Sequence, residues 1–320
     1  METRTDLTLF AEKMQALKSQ IRKIIVGQEQ AVDLVLTAIL ADGHVLIEGV
    51  PGVAKTLLAR LVSRLIDARF SRIQFTPDLM PSDVLGTTVF NVKTSNFDFH
   101  QGPVFANVVL VDEINRAPAK TQAALFEVME ERQVTVDGTT HRMDPLYTIL
   151  ATQNPVEQEG TYRLPEAQLD RFLMKITMGY PPVEEEVEVL RRHQQHAAFT
   201  RLDDIQPVIS HDELLQLRQL IDSVIVEESL LRYVADIVSQ TRNSRAVQLG
   251  ASPRASVAIM QASKAYALLQ GRDFVTPDDI KTIAPHVLHH RIILTAEAEM
   301  EGYTPIKVAQ RLIDKVEVPK

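Results

Sequence analysis

The segment Gly49-Val50-Pro51-Gly52-Val53-Ala54-Lys55-Thr56 constrains this chain more than any other. It stands between a short apolar run, His44 to Glu48, and a run of helical periodicity, Lys55 to Leu65. A glycine-containing loop between a strand and a helix aims backbone N–H groups and a helix N-terminus at an anion, and phosphate is the anion such loops cradle. Lys55 then reaches the outer phosphates, and Thr56 supplies a hydroxyl to a divalent cation. The loop departs from the pattern G-x-x-x-x-G-K-[ST] at Ala54, where glycine is expected; alanine fits if its φ stays negative. Alone, the segment also fits an ordinary glycine-proline turn.

What lies downstream favours the phosphate loop. Val108 to Val111 is an apolar strand closed by Asp112 and Glu113, which puts both carboxylates at a strand's C-terminal edge. Asp112 suits a metal held through its water shell, and Glu113 suits the orienting of an attacking water. Tyr147 to Thr152 is another strand, followed by Gln153-Asn154-Pro155. If it lies beside the first strand, Asn154 presents an amide to a terminal phosphate; as a bare dipeptide, Asn-Pro reads equally as a turn. Phe70 to Phe75 and Leu173 to Met178 complete a set of strands alternating with helices, which predicts a mostly parallel, doubly wound α/β sheet. Thr88 to Phe99, around Thr94-Ser95-Asn96, and Gln133 to Met143, around Asp137-Gly138, predict β-hairpins.

After Tyr180-Pro181-Pro182 strand alternation ends. Helices are expected over Glu184 to Arg192, Glu227 to Asn243, Ser252 to Leu269 and Thr304 to Val316, with a capping box at Ser210 and Glu213 and a capped start at Thr276-Pro277-Asp278-Asp279. The chain has 320 residues, more than one core usually takes, so a large α/β unit over 1–180 and an all-α unit over 181–320 are expected. Its lack of cysteine rules out disulfides and thiolate sites and fits a reducing cytoplasm. No apolar stretch is long enough to span a bilayer and no leader pattern opens the chain, so a cytoplasmic protein without membrane insertion is expected. A net charge of −8 argues against a broad nucleic-acid footprint. His289-His290 lack ligand spacing and read as packing or surface residues, and Glu184-Glu185-Glu186 as a solvated helix start.

The chain resembles AAA+ ATPases and, within them, the MoxR family. The resemblance rests on Gly49 to Thr56, on Leu110-Val111-Asp112-Glu113-Ile114-Asn115-Arg116-Ala117, on Ala151 to Pro155, on Gly160-Thr161-Tyr162 and on Leu164 to Phe172. It implies an α/β core with an α-helical lid, and ATP with Mg²⁺ as cofactors. Gly49, Val50, Pro51, Gly52, Val53, Ala54, Lys55, Thr56 and Leu57 would hold the phosphates, Thr56 and Asp112 the metal, and Val26 and Gly27 the edge of the adenine pocket. Glu113 would be the catalytic carboxylate, Asn154 sensor 1, and Arg171 a finger reaching the next subunit of a homo-hexamer, with Arg163 as runner-up. Arg254, in Gly250-Ala251-Ser252-Pro253-Arg254, would be sensor 2. For Arg171, a helix-end ion pair with Asp170 or Glu166 remains the alternative. The resemblance further implies client contact through the hairpins and a partner bearing a von Willebrand factor A domain. A nucleic-acid motor and a nucleotide-gated scaffold are the competing functions.

Overall fold

Strands that read as unbroken apolar runs need cover on both faces, and a parallel sheet wrapped by helices provides it. The computed structural model describes residues 7–154, 162, 164–194 and 202–319. The first part runs through α1 (Thr8–Ile24), α2 (Glu29–Leu40), β1 (Val45–Gly49), α3 (Lys55–Leu65), β2 (Phe70–Gln74) and α4 (Pro81–Leu85). A hairpin follows, β3 (Gly86–Asn91) and β4 (Asn96–Gln101), then β5 (Val108–Asp112) and α5 (Ala119–Glu131). A second hairpin, β6 (Gln133–Val136) and β7 (Thr139–Arg142), precedes β8 (Thr148–Gln153), α6 (Glu166–Leu169) and β9 (Met174–Met178). The main sheet is parallel in the order β2-β5-β8-β1-β9, so β8 does lie between β5 and β1. All of β5 and most of β1 and β8 are buried, as their Val, Ile and Leu content requires.

The second hairpin turns at Asp137 (φ 48°) and Gly138 (φ 79°), both left-handed, which matches the natural strand twist. The first is longer than its alternation indicated and includes Asn96 in its return arm. Phe99 of β4 stacks on His141 of β7 at 4.3 Å, joining the two hairpins. Phe90 and Phe97, paired across β3 and β4 at 5.2 Å, are exposed by 49% and 72%.

Beyond Pro182 lie α7 (Val183–Gln194), α8 (His211–Gln219), α9 (Glu228–Asn243), β10 (Val247–Leu249), α10 (Pro253–Leu269) and α11 (Pro277–Leu288), then β11 (Ile293–Leu294), α12 (Ala296–Met300) and α13 (Pro305–Asp314). Both capping boxes form, with Ser210 and Glu213, and Thr276 and Asp279, exchanging backbone and side-chain bonds. The expectation of a purely helical second part needs correction: β10 and β11 pair as an antiparallel ribbon. Runs of two and three residues are too short to show alternation. One buried cluster runs from Phe10, Leu36 and Ile176 to Val234, Ile259 and Ile283, so the helical part shares its core with α1, α2 and β9. A second, around Val109, Phe126 and Tyr147, lies on the other side of the sheet.

Ala54 does not keep the negative φ expected of it. It caps α3 at φ 64°, ψ 21°, because the loop must turn through the left-handed region to enter the helix. An alanine there costs about 1 kcal/mol relative to glycine. Ala54→Gly should therefore raise unfolding stability in urea by about that amount, and a loss of stability would contradict the strain assigned to this position.

Among the described residues four histidines are buried in packing. His44 lies between the Met129 carbonyl and the Ile149 amide, while His286, His289 and His290 adjoin one another where α11 meets β9. Burial holds His44 and His289 down to about 3 and His290 well below the ordinary 6.5. Below pH 6.5 the unfolded chain takes up protons that the folded chain refuses, so stability falls as the pH falls. The loss is on the order of 1 kcal/mol each for His44 and His289 at pH 5.5, and His290 acts in the same direction. His211 acts in the opposite sense, raised by Asp212 and Asp144, and offsets part of this on the acid side. The urea midpoint should drop between about pH 7.5 and 5.5 by the equivalent of a few kcal/mol; a flat profile would mean that the buried rings accept protons in the folded state.

Candidate functional site

The C-terminal ends of β1, β5 and β8 open onto a cavity of about 380 Å³. Pro51, Gly52, Ala54, Lys55, Thr56 and Leu57 form one wall, and Asp112, Glu113 and Asn154 face them. Nine of the residues singled out in the sequence thus converge from three strand ends.

The first wall is an anion cradle. Helix α3 starts without a side-chain cap and without an acid in its first turn, which leaves its leading N–H groups and its positive dipole end open to a ligand. Gly52 has φ 88° and space around its Cα, so its backbone conformation, not crowding, calls for glycine. Lys55 donates from Nζ to the Gly49 carbonyl at 2.5 Å, folding its ammonium group back over the loop. Gly49 lies tight against the Met178 carbonyl, while Val50 and Val53 turn into the apolar core. These three build the loop without walling the cavity. A triphosphate fits this wall, and the Thr56 hydroxyl and Asp112 carboxylate opposite are hard oxygen donors of the kind Mg²⁺ takes in small number alongside phosphate.

The second wall is a hydrogen-bonded chain. Asp112 accepts from Arg72 Nε at 2.6 Å and from the Thr152 hydroxyl at 3.1 Å, and Thr152 Oγ1 accepts the Glu113 N–H at 3.0 Å. Glu113 sits in the left-handed region, φ 56° and ψ 51°, an unfavourable place for a carboxylate residue. Its side chain accepts from Gln74 Nε2 at 2.8 Å and pairs with Arg116 at 3.3 Å. The side chain of Asn154 is buried in the same wall; Pro155 lies outside the described residues. Sequence reasoning passed over Arg72, Gln74 and Thr152. Arg72 and Gln74 alternate on β2, but the pairing of Gln74 with Asp112 appears only once β2 is placed beside β5.

Arg171 and Arg254 stand away from this cavity's walls. Arg171 pairs with neither Asp170 nor Glu166: it donates to the Phe126 carbonyl at 2.5 Å and lies 3.4 Å from Glu130, both on α5. Arg254 is 73% exposed, 3.9 Å from the Asp170 carboxylate. Arg163, Gly160 and Thr161 fall outside the described residues. Of Val26-Gly27-Gln28, Gln28 lines a second hollow of about 260 Å³, with Ile176, Tyr180 and His286. Val26 is not among its walls, and Gly27 (φ 67°) backs against the Glu185 carboxylate, so Glu185 is no freely solvated acid.

Residues 44–174 match the family described as ATPases associated with various cellular activities (AAA), and residues 239–315 match the AAA lid domain. The chain is 48% identical to the uncharacterized protein YeaC of Bacillus subtilis, covering 93% of this chain and 92% of that one. It is 44% identical to the chaperone MoxR1 of Mycobacterium tuberculosis, over 94% of this chain and 81% of the relative. It is 33% identical to the protein MoxR of Methylorubrum extorquens, over 92% and 91%. A crystallised chain from Cytophaga hutchinsonii, described as a candidate ATPase, superposes with a TM-score of 0.89 at 42% identity, covering 98% of this chain and 97% of that one. A cradle at the end of β1, paired acids at the end of β5 and relatives of matching length agree: the chain belongs to the MoxR family of AAA+ ATPases.

Proposed function

We propose that this chain hydrolyses ATP with Mg²⁺ and uses the cycle to remodel protein partners as a ring. The observation that carries the reading is the cavity itself, in which an uncapped helix start with Lys55 and Thr56 faces the Asp112-Glu113 pair. Bound Mg²⁺ supplies charge neutralisation for the phosphates, and Thr56 and Asp112 are the residues to hold it, the latter through water. Lys55 and the N–H groups of α3 bind the phosphates, and Glu113 orients and polarises the attacking water. Gln74 and Arg116 fix the angle of that carboxylate. Asn154 contacts the terminal phosphate or its water. Arg171 acts as a finger in the site of the next subunit, since its side chain does not line the cavity of its own; a head-to-tail contact of that kind closes into a ring, and the family resemblance points to six subunits. Arg254, exposed on the lid, serves as sensor 2. Binding of the base falls to the edge near Val26 and Gly27.

The absence of cysteine and of any described helix long and apolar enough to cross a membrane accords with a cytoplasmic setting. A relative named as a chaperone supports protein remodelling as the output, and the family resemblance points to partners with a von Willebrand factor A domain. One observation favours a nucleic-acid motor instead: the exposed Phe90–Phe97 pair is a surface on which bases stack. The net charge of −8 weighs against it.

Glu113→Gln should keep ATP binding while lowering turnover at least about a hundredfold, because the cradle is intact and only the water loses its carboxylate. Near-normal steady-state phosphate release by this variant would remove Glu113 from the mechanism. For the partner, ATPase stimulation should be compared among the host's A-domain proteins, single- and double-stranded DNA and RNA at physiological salt, where weak charge attraction is screened. Stimulation by an A-domain protein and none by nucleic acid is expected. The reverse pattern would hand the function to the motor.

A further inference from the structure

Arg291 uses every N–H of its guanidinium inside the protein. It follows α11 and its side chain is 5% exposed. Nε donates to Asp170 Oδ1 at 2.7 Å, and Nη2 donates to the carbonyls of Asp170 at 3.2 Å and Phe172 at 2.7 Å. Nη1 donates to the Leu173 carbonyl at 3.0 Å and to that of Val287, in the last turn of α11, at 2.6 Å. Nη1 also lies 2.9 Å from His290 Nε2. All three guanidinium nitrogens thus bond residues 170–173, the strip of backbone that carries Arg171. The other oxygen of Asp170 faces Arg254, 3.9 Å away. Cohesion alone explains this poorly, since a buried cation is a costly way to join two elements and apolar side chains do it at least as well. A guanidinium does what they cannot: its planar fork sets the direction of several acceptors at once.

We propose that Arg291 is a positioning residue for Arg171. It locks segment 170–173 to the lid helix α11, so that the lid sets the angle at which one subunit offers its finger to the next. This rests on the finger role proposed for Arg171 and adds what aims it. Lid position in one subunit then bears directly on turnover in its neighbour.

The test uses rings assembled from two full-length variants: Lys55→Ala, which can donate only a finger, and Arg171→Ala, which can donate only a cradle. Turnover by the mixture is the baseline. No turnover despite co-assembly, verified by cross-linking, removes the trans role of Arg171 and the present proposal with it. With a measurable baseline, Arg291→Lys is added to one variant at a time. In the finger-donating subunit it should lower kcat about tenfold or more with KM for ATP unchanged, and in the cradle-donating subunit it should change little. Equal losses from both placements, a loss only from the cradle side, or a loss carried by KM would overturn the positioning role while leaving the finger intact. Asp170→Asn, which keeps an oxygen for Nε but removes the charge, should give the same asymmetry at smaller size. If Arg291→Lys fails to fold by circular dichroism, Asp170→Asn in the two placements decides alone.

Discussion

Everything at this site depends on a helix that begins without a side-chain cap. Helix α3 enters from a loop whose last residue is left-handed, and no side chain caps it. Such an end is satisfied by water or an anion, and here it is aimed at the open ends of β5 and β8, where the carboxylates and the buried amide stand. The parallel sheet exists in that order to put those ends side by side. A different strand order would leave the same residues chemically idle.

The carboxylates are held with comparable economy. Thr152 touches both acids at the end of β5, accepting from the Glu113 backbone and donating to Asp112. Arg72 and Gln74 from β2 approach the same pair from the far side. The left-handed backbone of Glu113 is thereby fixed from three directions, which is the condition under which unfavourable conformations persist in folded proteins.

Much of this was legible beforehand, and the physical reason is locality. Strands β1, β5 and β8 announce themselves by length and apolar content, the capping boxes by residues three apart, and the Asp137-Gly138 turn by its need for two positive φ angles. The phosphate loop and the acid pair are short, so their chemistry is local as well. What stayed hidden depends on partners far away in the chain. Nearness in sequence points Arg171 to Asp170 or Glu166, yet its acceptors are Phe126 and Glu130. Asp170 is claimed by Arg291, more than a hundred residues later. Ala54 departs from expectation for a different reason: the residue type argues for ordinary backbone, and the geometry of entry into α3 overrides it.

The buried cluster that continues from α1, α2 and β9 into α9, α10 and α11 bears on how this molecule can be divided. With no solvent layer between the α/β sheet and the helices behind it, neither part owns a complete interior. A fragment ending near Gly179 would uncover the faces of α2 and β9 that pack on α10 and α11, and the complementary fragment would uncover the matching faces of those two helices. Motion between the two must therefore proceed as sliding of packed side chains in small steps, since a wide hinge opening would tear an oily seam along its whole length. Such a joint is stiff: it passes a displacement from one side to the other with little slack.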